Sequence, residues 1–87
     1  MSTVQPKELS DVFRENVVRL RKLRGMTQAD LAKKLTNRND RTVHVPYVSN
    51  VESGTTMPGL AMIAMIAEAL DVHPSELMRE KKSQVPT

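Results

Sequence analysis

Few side chains in this sequence could do covalent chemistry. His44 and His73 are the only histidines, and cysteine is absent. Neither a thiolate metal site nor a disulfide frame is available. An imidazole beside a carboxylate or hydroxyl is the usual core of an acid–base or nucleophilic site, and His44 with Asp40 or Ser49 has that composition. Two such residues without a pocket do not make an active site. His73, just ahead of Pro74, is placed to cap a helix instead. The chain is therefore read as a non-enzyme that needs no metal and no cofactor. What remains is recognition chemistry: hydrogen-bonding and apolar side chains gathered in "VPYVSNVESG", Val45 to Gly54.

The composition supports that choice. With 87 residues, one Phe, one Tyr and no Trp, the chain can build one small domain with an aliphatic and Met core, not a large cleft. Between Arg14 and Arg41 nine basic residues stand against three acidic ones, whereas between Thr42 and Glu80 one basic residue stands against five acidic ones. The first half is expected to present a cationic surface, suited to a polyanion such as nucleic acid. A merely solvated helix face is the alternative. The longest apolar run, Leu60 to Ala67, falls far short of the roughly 20 residues that span a bilayer. The start of the chain lacks the pattern of a signal peptide. No membrane association and a cytoplasmic location are expected.

Helices must position these residues. Residues 1–9 lack periodicity and read as a flexible arm, and residues 81–87 as a disordered tail; the domain lies between, over 10–80. Ser10 is expected to cap a first helix running to Arg24, with Phe13, Val17 and Leu20 inward and Gly25 as its stop. Thr27 and Asp30 resemble a capping box, so a second helix should start at Gln28 and bury Ala29, Leu31, Ala32 and Leu35, leaving the Gln28 amide free. Thr36 to His44 reads as a polar loop. Pro46 suits the first turn of a third helix, which turns Val48 and Val51 inward, leaves Ser49, Asn50 and Ser53 outward, and ends at Gly54. That helix consists of poor helix formers, so something other than propensity must hold it. A fourth helix, Leu60 to Leu70, is expected to be central and buried through Leu60, Ile63, Ala64, Ala67 and Leu70. A fifth starts at Pro74. The fold class is all-α: five short helices around one core.

Read together, "LRKLRGMTQADLAKKL", "VSNVESG", a following Pro and "IAEALDVHPSEL" resemble the helix-turn-helix family of phage lambda repressor and Cro, also called XRE-type. The likeness covers about Val17 to Met78. It implies that the third helix is a recognition helix for the major groove of double-stranded DNA. A helix whose outer residues serve base edges can tolerate poor propensity.

Carried over residue by residue, the resemblance places Val45, Pro46, Tyr47, Ser49 and Asn50 nearest the bases. The Asn50 amide suits adenine N6 and N7, and the apolar surfaces of Val45, Pro46 and Tyr47 suit a thymine methyl. Gln28, at the N-terminus of the second helix, matches a glutamine set against a phosphate. Thr27, His44, Ser53 and Thr55 are the other expected phosphate contacts; Arg38 and Arg41, in the inserted loop, either reach phosphates or the neighbouring groove or are plain charged surface. Arg21 and Glu52 match a structural ion pair. Two departures stand out: the turn between the second and third helices is about six residues longer than usual, and "GTTMPG" carries no Lys or Arg. Backbone N–H groups, Thr55 or Thr56 would have to substitute there.

The resemblance further implies a homodimeric regulator, a repressor of bacterial, phage or mobile-element origin, on an inverted-repeat operator. No small-molecule ligand is expected. Met62, Met65, Leu77 and Met78 are candidates for the dimer surface, with core packing as their ordinary role. The competing reading is an antitoxin or adaptor module whose main task is binding a protein partner.

Overall fold

The computed structural model describes residues 8–38 and 41–80, and among them it contains five helices and no strand. These are α1 (Leu9–Leu23), α2 (Gln28–Asn37), α3 (Val45–Ser53), α4 (Leu60–Ala69) and α5 (Pro74–Met78). The expected all-α, five-helix architecture is thus the one found. The expected tail, and the arm up to residue 7, lie outside the described residues; Leu9, assigned to the arm, already opens α1.

Phe13, Val17 and Leu20 bury the inner face of α1, but Ser10 does not cap it. The helix starts earlier, from Glu8, whose carbonyl receives the N–H groups of Asp11 and Val12. Ser10 is therefore already inside the first turn. At the other end Gly25 adopts φ 70°, and two bonds close the helix: Gly25 N–H to Lys22 O at 2.9 Å and Met26 N–H to Arg21 O at 3.0 Å. This left-handed exit satisfies orphan carbonyls and turns the chain into α2.

The capping box of α2 forms in full. Asp30 N–H donates to Thr27 Oγ1 at 3.0 Å, and Thr27 N–H donates to Asp30 Oδ2 at 2.9 Å. The Thr27 N–H, and with it the Thr27 side chain, hold the exposed Asp30 carboxyl below its ordinary value, with Lys33 and Lys34 adding to the effect. Leu31, Ala32 and Leu35 enter the core, whereas Ala29 is exposed. At 100° per residue Ala29 lies about 200° around the helix from Leu31, so both cannot face inward.

The expected loop is shorter than its sequence. Thr36 and Asn37 belong to α2, and Val43 N–H donates to Thr36 Oγ1 at 2.8 Å while the Thr36 hydroxyl donates to Val43 O at 3.2 Å. Val43 is buried in the core. One hydroxyl thus joins both ends of the inserted segment, and α2 and α3 meet as though a short turn linked them.

Ile63, Ile66, Ala67, Ala69 and Leu70 carry the inner side of α4. Its outer side remains open, with Leu60 83% exposed and Ala61 and Ala64 exposed as well, so α4 is not the wholly buried helix expected. Glu68 marks the solvent face, and Ala64 and Ala61 stand one and two turns before it. Leu77 of α5 is fully buried and so is not available as a dimer contact, while Met62, Met65 and Met78 pack half-buried on the core. The buried Asn16 of α1 holds the far end of α5, its Nδ2 donating to Leu77 O and to Arg79 O, both at 2.9 Å.

Candidate nucleic-acid interface

Packing and a buried ion pair hold α3 in place. Val48 and Val51 are almost wholly buried in the core. Glu52, next along the inner side, accepts from Arg21 Nε at 2.6 Å and from Arg21 Nη2 at 3.0 Å. Its Oε1 also accepts from Gln28 Nε2 at 2.9 Å, and Arg21 Nη1 donates to Met26 O at 2.7 Å. One carboxylate therefore joins α1, α2 and α3. No buried side-chain nitrogen or oxygen among the described residues lacks a partner. Gln28 does not have the free amide expected, because one of its N–H groups already serves Glu52.

Gly54 ends α3 at φ 86°, a conformation that side chains rarely tolerate. Opposite the core, Pro46, Ser49, Asn50 and Ser53 are all exposed. Their spacing of three, four and seven residues from Pro46 aligns them in one stripe. Val45, 40% exposed, stands at its start. The side chains of Ser49 and Asn50 make no hydrogen bond among the described residues, so the Asn50 amide keeps both donors and its acceptor for a partner. Ser53 Oγ donates to Asn50 O at 3.2 Å and lies 2.9 Å from Thr55 Oγ1. Tyr47 stands apart from the stripe: half-buried, it packs against the core, and burial pushes its phenol above the ordinary value. The broad apolar surface expected of Tyr47 is therefore largely spent on the protein.

The expected phosphate contacts fall into two groups. Thr27 is spent on its capping box, Arg38 donates to Glu68 Oε1 at 3.1 Å, and Ser53 and Thr55 hold one another. Arg41 and His44 are exposed and form no hydrogen bond or ion pair among the described residues; His44 occupies the N-cap of α3 without a side-chain cap bond. No hydrogen bond joins His44 to Ser49, and Asp40 lies outside the described residues. His73 accepts from Ser75 N–H at 3.1 Å, as a capping residue does.

Some of the basic residues clustered in sequence are turned to other parts of the protein. Arg24 reaches the C-terminal end of α4, donating to Leu70 O at 2.9 Å and Asp71 O at 3.1 Å. Arg19 donates to Asn16 Oδ1 on the α5 side. The loop after α3 is also poorer in donors than expected, since Thr55 and Thr56 N–H groups both bond Asn50 O, at 2.9 and 3.1 Å. Arg14, which no spacing singled out, packs its stem against Gly54: a Cβ on that glycine would stand 3.1 Å from Arg14 Cδ.

No helix among the described residues is long and apolar enough to cross a membrane. No curated protein and no solved structure matches the chain significantly. A family model described as helix-turn-helix matches residues 17–77, from the middle of α1 to the end of α5 and so across the whole α2–α3 unit. With that match and this arrangement of helices, the chain belongs to the lambda-repressor-like, or XRE-type, helix-turn-helix family of DNA-binding regulators.

Proposed function

We propose that this protein binds a specific double-stranded DNA sequence as a homodimer and represses transcription from it. The observation that carries the reading is the exposed stripe of Pro46, Ser49, Asn50 and Ser53 on a helix locked from behind by Arg21 and Glu52. A stripe without charge cannot draw affinity from base edges electrostatically, but it reads them well: Asn50 takes an adenine through N6 and N7, and Val45 and Pro46 take thymine methyls. Ser49 serves either kind of base. Residues 46–53 would lie in the major groove with the N-terminal end of α3 foremost.

Backbone contacts come from Arg41 and His44 at the start of α3 and from the second N–H of Gln28, with Thr27, Arg38, Ser53 and Thr55 able to join once their present bonds rearrange. Arg21 and Glu52 fix the helix and touch no base. A two-turn α3 reads only a few base pairs, so useful specificity calls for two copies on an inverted repeat, with half-sites about 34–36 Å apart. Sequencing the duplexes that the protein retains from a random pool tests this directly. Enrichment of an inverted repeat is expected; retention without enrichment would reject sequence-specific regulation.

A second reading, a module that binds a protein partner, is favoured by the open apolar side of α4 and the loop before it, where Leu60 is 83% and Met57 50% exposed. Tight duplex binding by the purified protein alone would decide against it.

A further inference from the structure

We propose that Arg14 of α1 contacts the DNA backbone at the C-terminal end of the recognition helix, supplying the positive charge that the loop after α3 lacks. The inference rests on the DNA-binding reading above and extends it to a residue outside the helix-turn-helix unit. Four observations carry it. The loop 54–59 contains no Lys or Arg. Its first three N–H groups are already bonded to α3 carbonyls: Gly54 to Val51 O, and Thr55 and Thr56 to Asn50 O. A phosphate passing this end of the stripe therefore finds hydroxyls but no cation and few main-chain donors within the loop itself.

Arg14 fills that gap by position. Its Cδ and Nε stand 3.1 and 3.4 Å from where a Cβ on Gly54 would be, so the guanidinium is carried on the residue that closes α3. A side chain at 54 would press this stem aside slightly and would strain the backbone at φ 86°. A cleft of about 40 Å³ opens beside it, between Asp11, Thr56 and Met57. Arg21 and Arg19 of α1 are engaged on Glu52 and Asn16, Arg24 just past α1 is engaged on the end of α4, and Lys22 stands about two turns further along the helix.

In the free protein Arg14 Nε donates to Asp11 Oδ1 at 3.0 Å, and Nη2 lies 3.7 Å from Glu15 Oε2. Both carboxylates are partly exposed, with side chains 44% and 46% accessible, so these pairs are weak and open to exchange. A phosphate oxygen takes the place of Asp11 Oδ1, and the acid returns to water. Asp11 thus acts as a local competitor that keeps Arg14 positioned while the site is empty.

The test is the slope of log K against log salt for the full chain on its selected duplex. Each phosphate neutralised contributes about 0.9 to that slope. Arg14→Gln is expected to lower it by about 0.9, while Arg14→Lys keeps the slope and Arg19→Gln leaves it unchanged. Asp11→Asn is expected to tighten binding severalfold at low salt. A merely structural Arg14 would change the melting temperature but not the slope, and an unchanged slope in Arg14→Gln overturns the proposal. If wild-type protein bound no duplex, the DNA-binding reading would fail first and take the proposal with it. Wild-type binding with an unaltered variant slope would remove Arg14 alone.

Discussion

Arg21 and Glu52 meet side by side, Nε on Oε2 at 2.6 Å and Nη2 on Oε1 at 3.0 Å, with their side chains only 10% and 6% exposed. Two parallel bonds to one carboxylate fix both the distance and the rotation of α3 relative to α1. Breaking the pair from one side leaves a buried charge. Arg21→Met is expected to destabilise the domain by about 3–5 kcal/mol. The double variant Arg21→Met with Glu52→Leu removes both charges and should recover most of that loss. A double-mutant cycle from urea unfolding, with Glu52→Leu as the other single variant, checks this; losses that simply add in the double variant would mean that the pair carries no coupling.

The clasp between Thr36 and Val43 makes a second stability prediction. Val43 N–H has Thr36 Oγ1 as its partner at 2.8 Å, close to the buried Val43 side chain. Thr36→Val keeps the shape and removes both bonds, at a cost of about 1–3 kcal/mol for the backbone groups left unpaired. Thr36→Ser keeps the hydroxyl and should lose much less. Replacing residues 38–42 with a short Gly linker should leave the helix content and the docking of α3 intact, as circular dichroism and amide exchange would report. Loss of the fold would mean that the inserted segment is structural.

Much of this architecture was legible, and the exceptions share a cause. Thr27 with Asp30, and Gly25 and Gly54 after their helices, are local signals: the partners lie within a few residues, so the sequence displays both ends of each interaction. The inward Val48 and Val51 follow from period alone. In α4 that period fails, because nothing polar precedes Glu68 to say which side faces water, and Leu60 and Ala64, which the pattern turns inward, lie outward. Arg24 finds Leu70 O 46 residues away, Asn16 finds Leu77 O 61 residues away, and Arg14 meets Gly54 across a whole helix-turn-helix. Spacing in the sequence carries no trace of such meetings. They turn Arg24 away from a charge cluster that looks like one surface when read along the chain.

Acid pH should act first on α2. Asp30 Oδ2 accepts from Thr27 N–H, and this contact with Thr27 lowers the carboxyl below its ordinary 3.8, while Asp30 N–H donates to the Thr27 hydroxyl. A group whose folded value is depressed stabilises the fold above its unfolded value, and that contribution disappears as pH falls through the folded one. Wild-type stability should therefore drop as pH decreases below about 4, the unfolded carboxylate range. Asp30→Asn should be less stable at pH 7 and should show a shallower fall below that range. Thermal melts from pH 7 down to pH 2.5 would measure both; parallel curves for the two proteins would rule out Asp30 as the source.

Asn50 separates recognition from folding. Its side chain is exposed and makes no hydrogen bond among the described residues, so Asn50→Ala should leave the melting temperature nearly unchanged. If the amide holds an adenine through N6 and N7, its loss should cost about 1–3 kcal/mol on the selected duplex. The loss should also be confined to one base pair. On a duplex already altered at that pair, wild type and Asn50→Ala should bind alike, because the contact is missing from both complexes. Titrating the two proteins against the two duplexes gives a four-way cycle. A uniform weakening on both would assign Asn50 to the DNA backbone, and no weakening on either would turn base reading over to Ser49 and Val45.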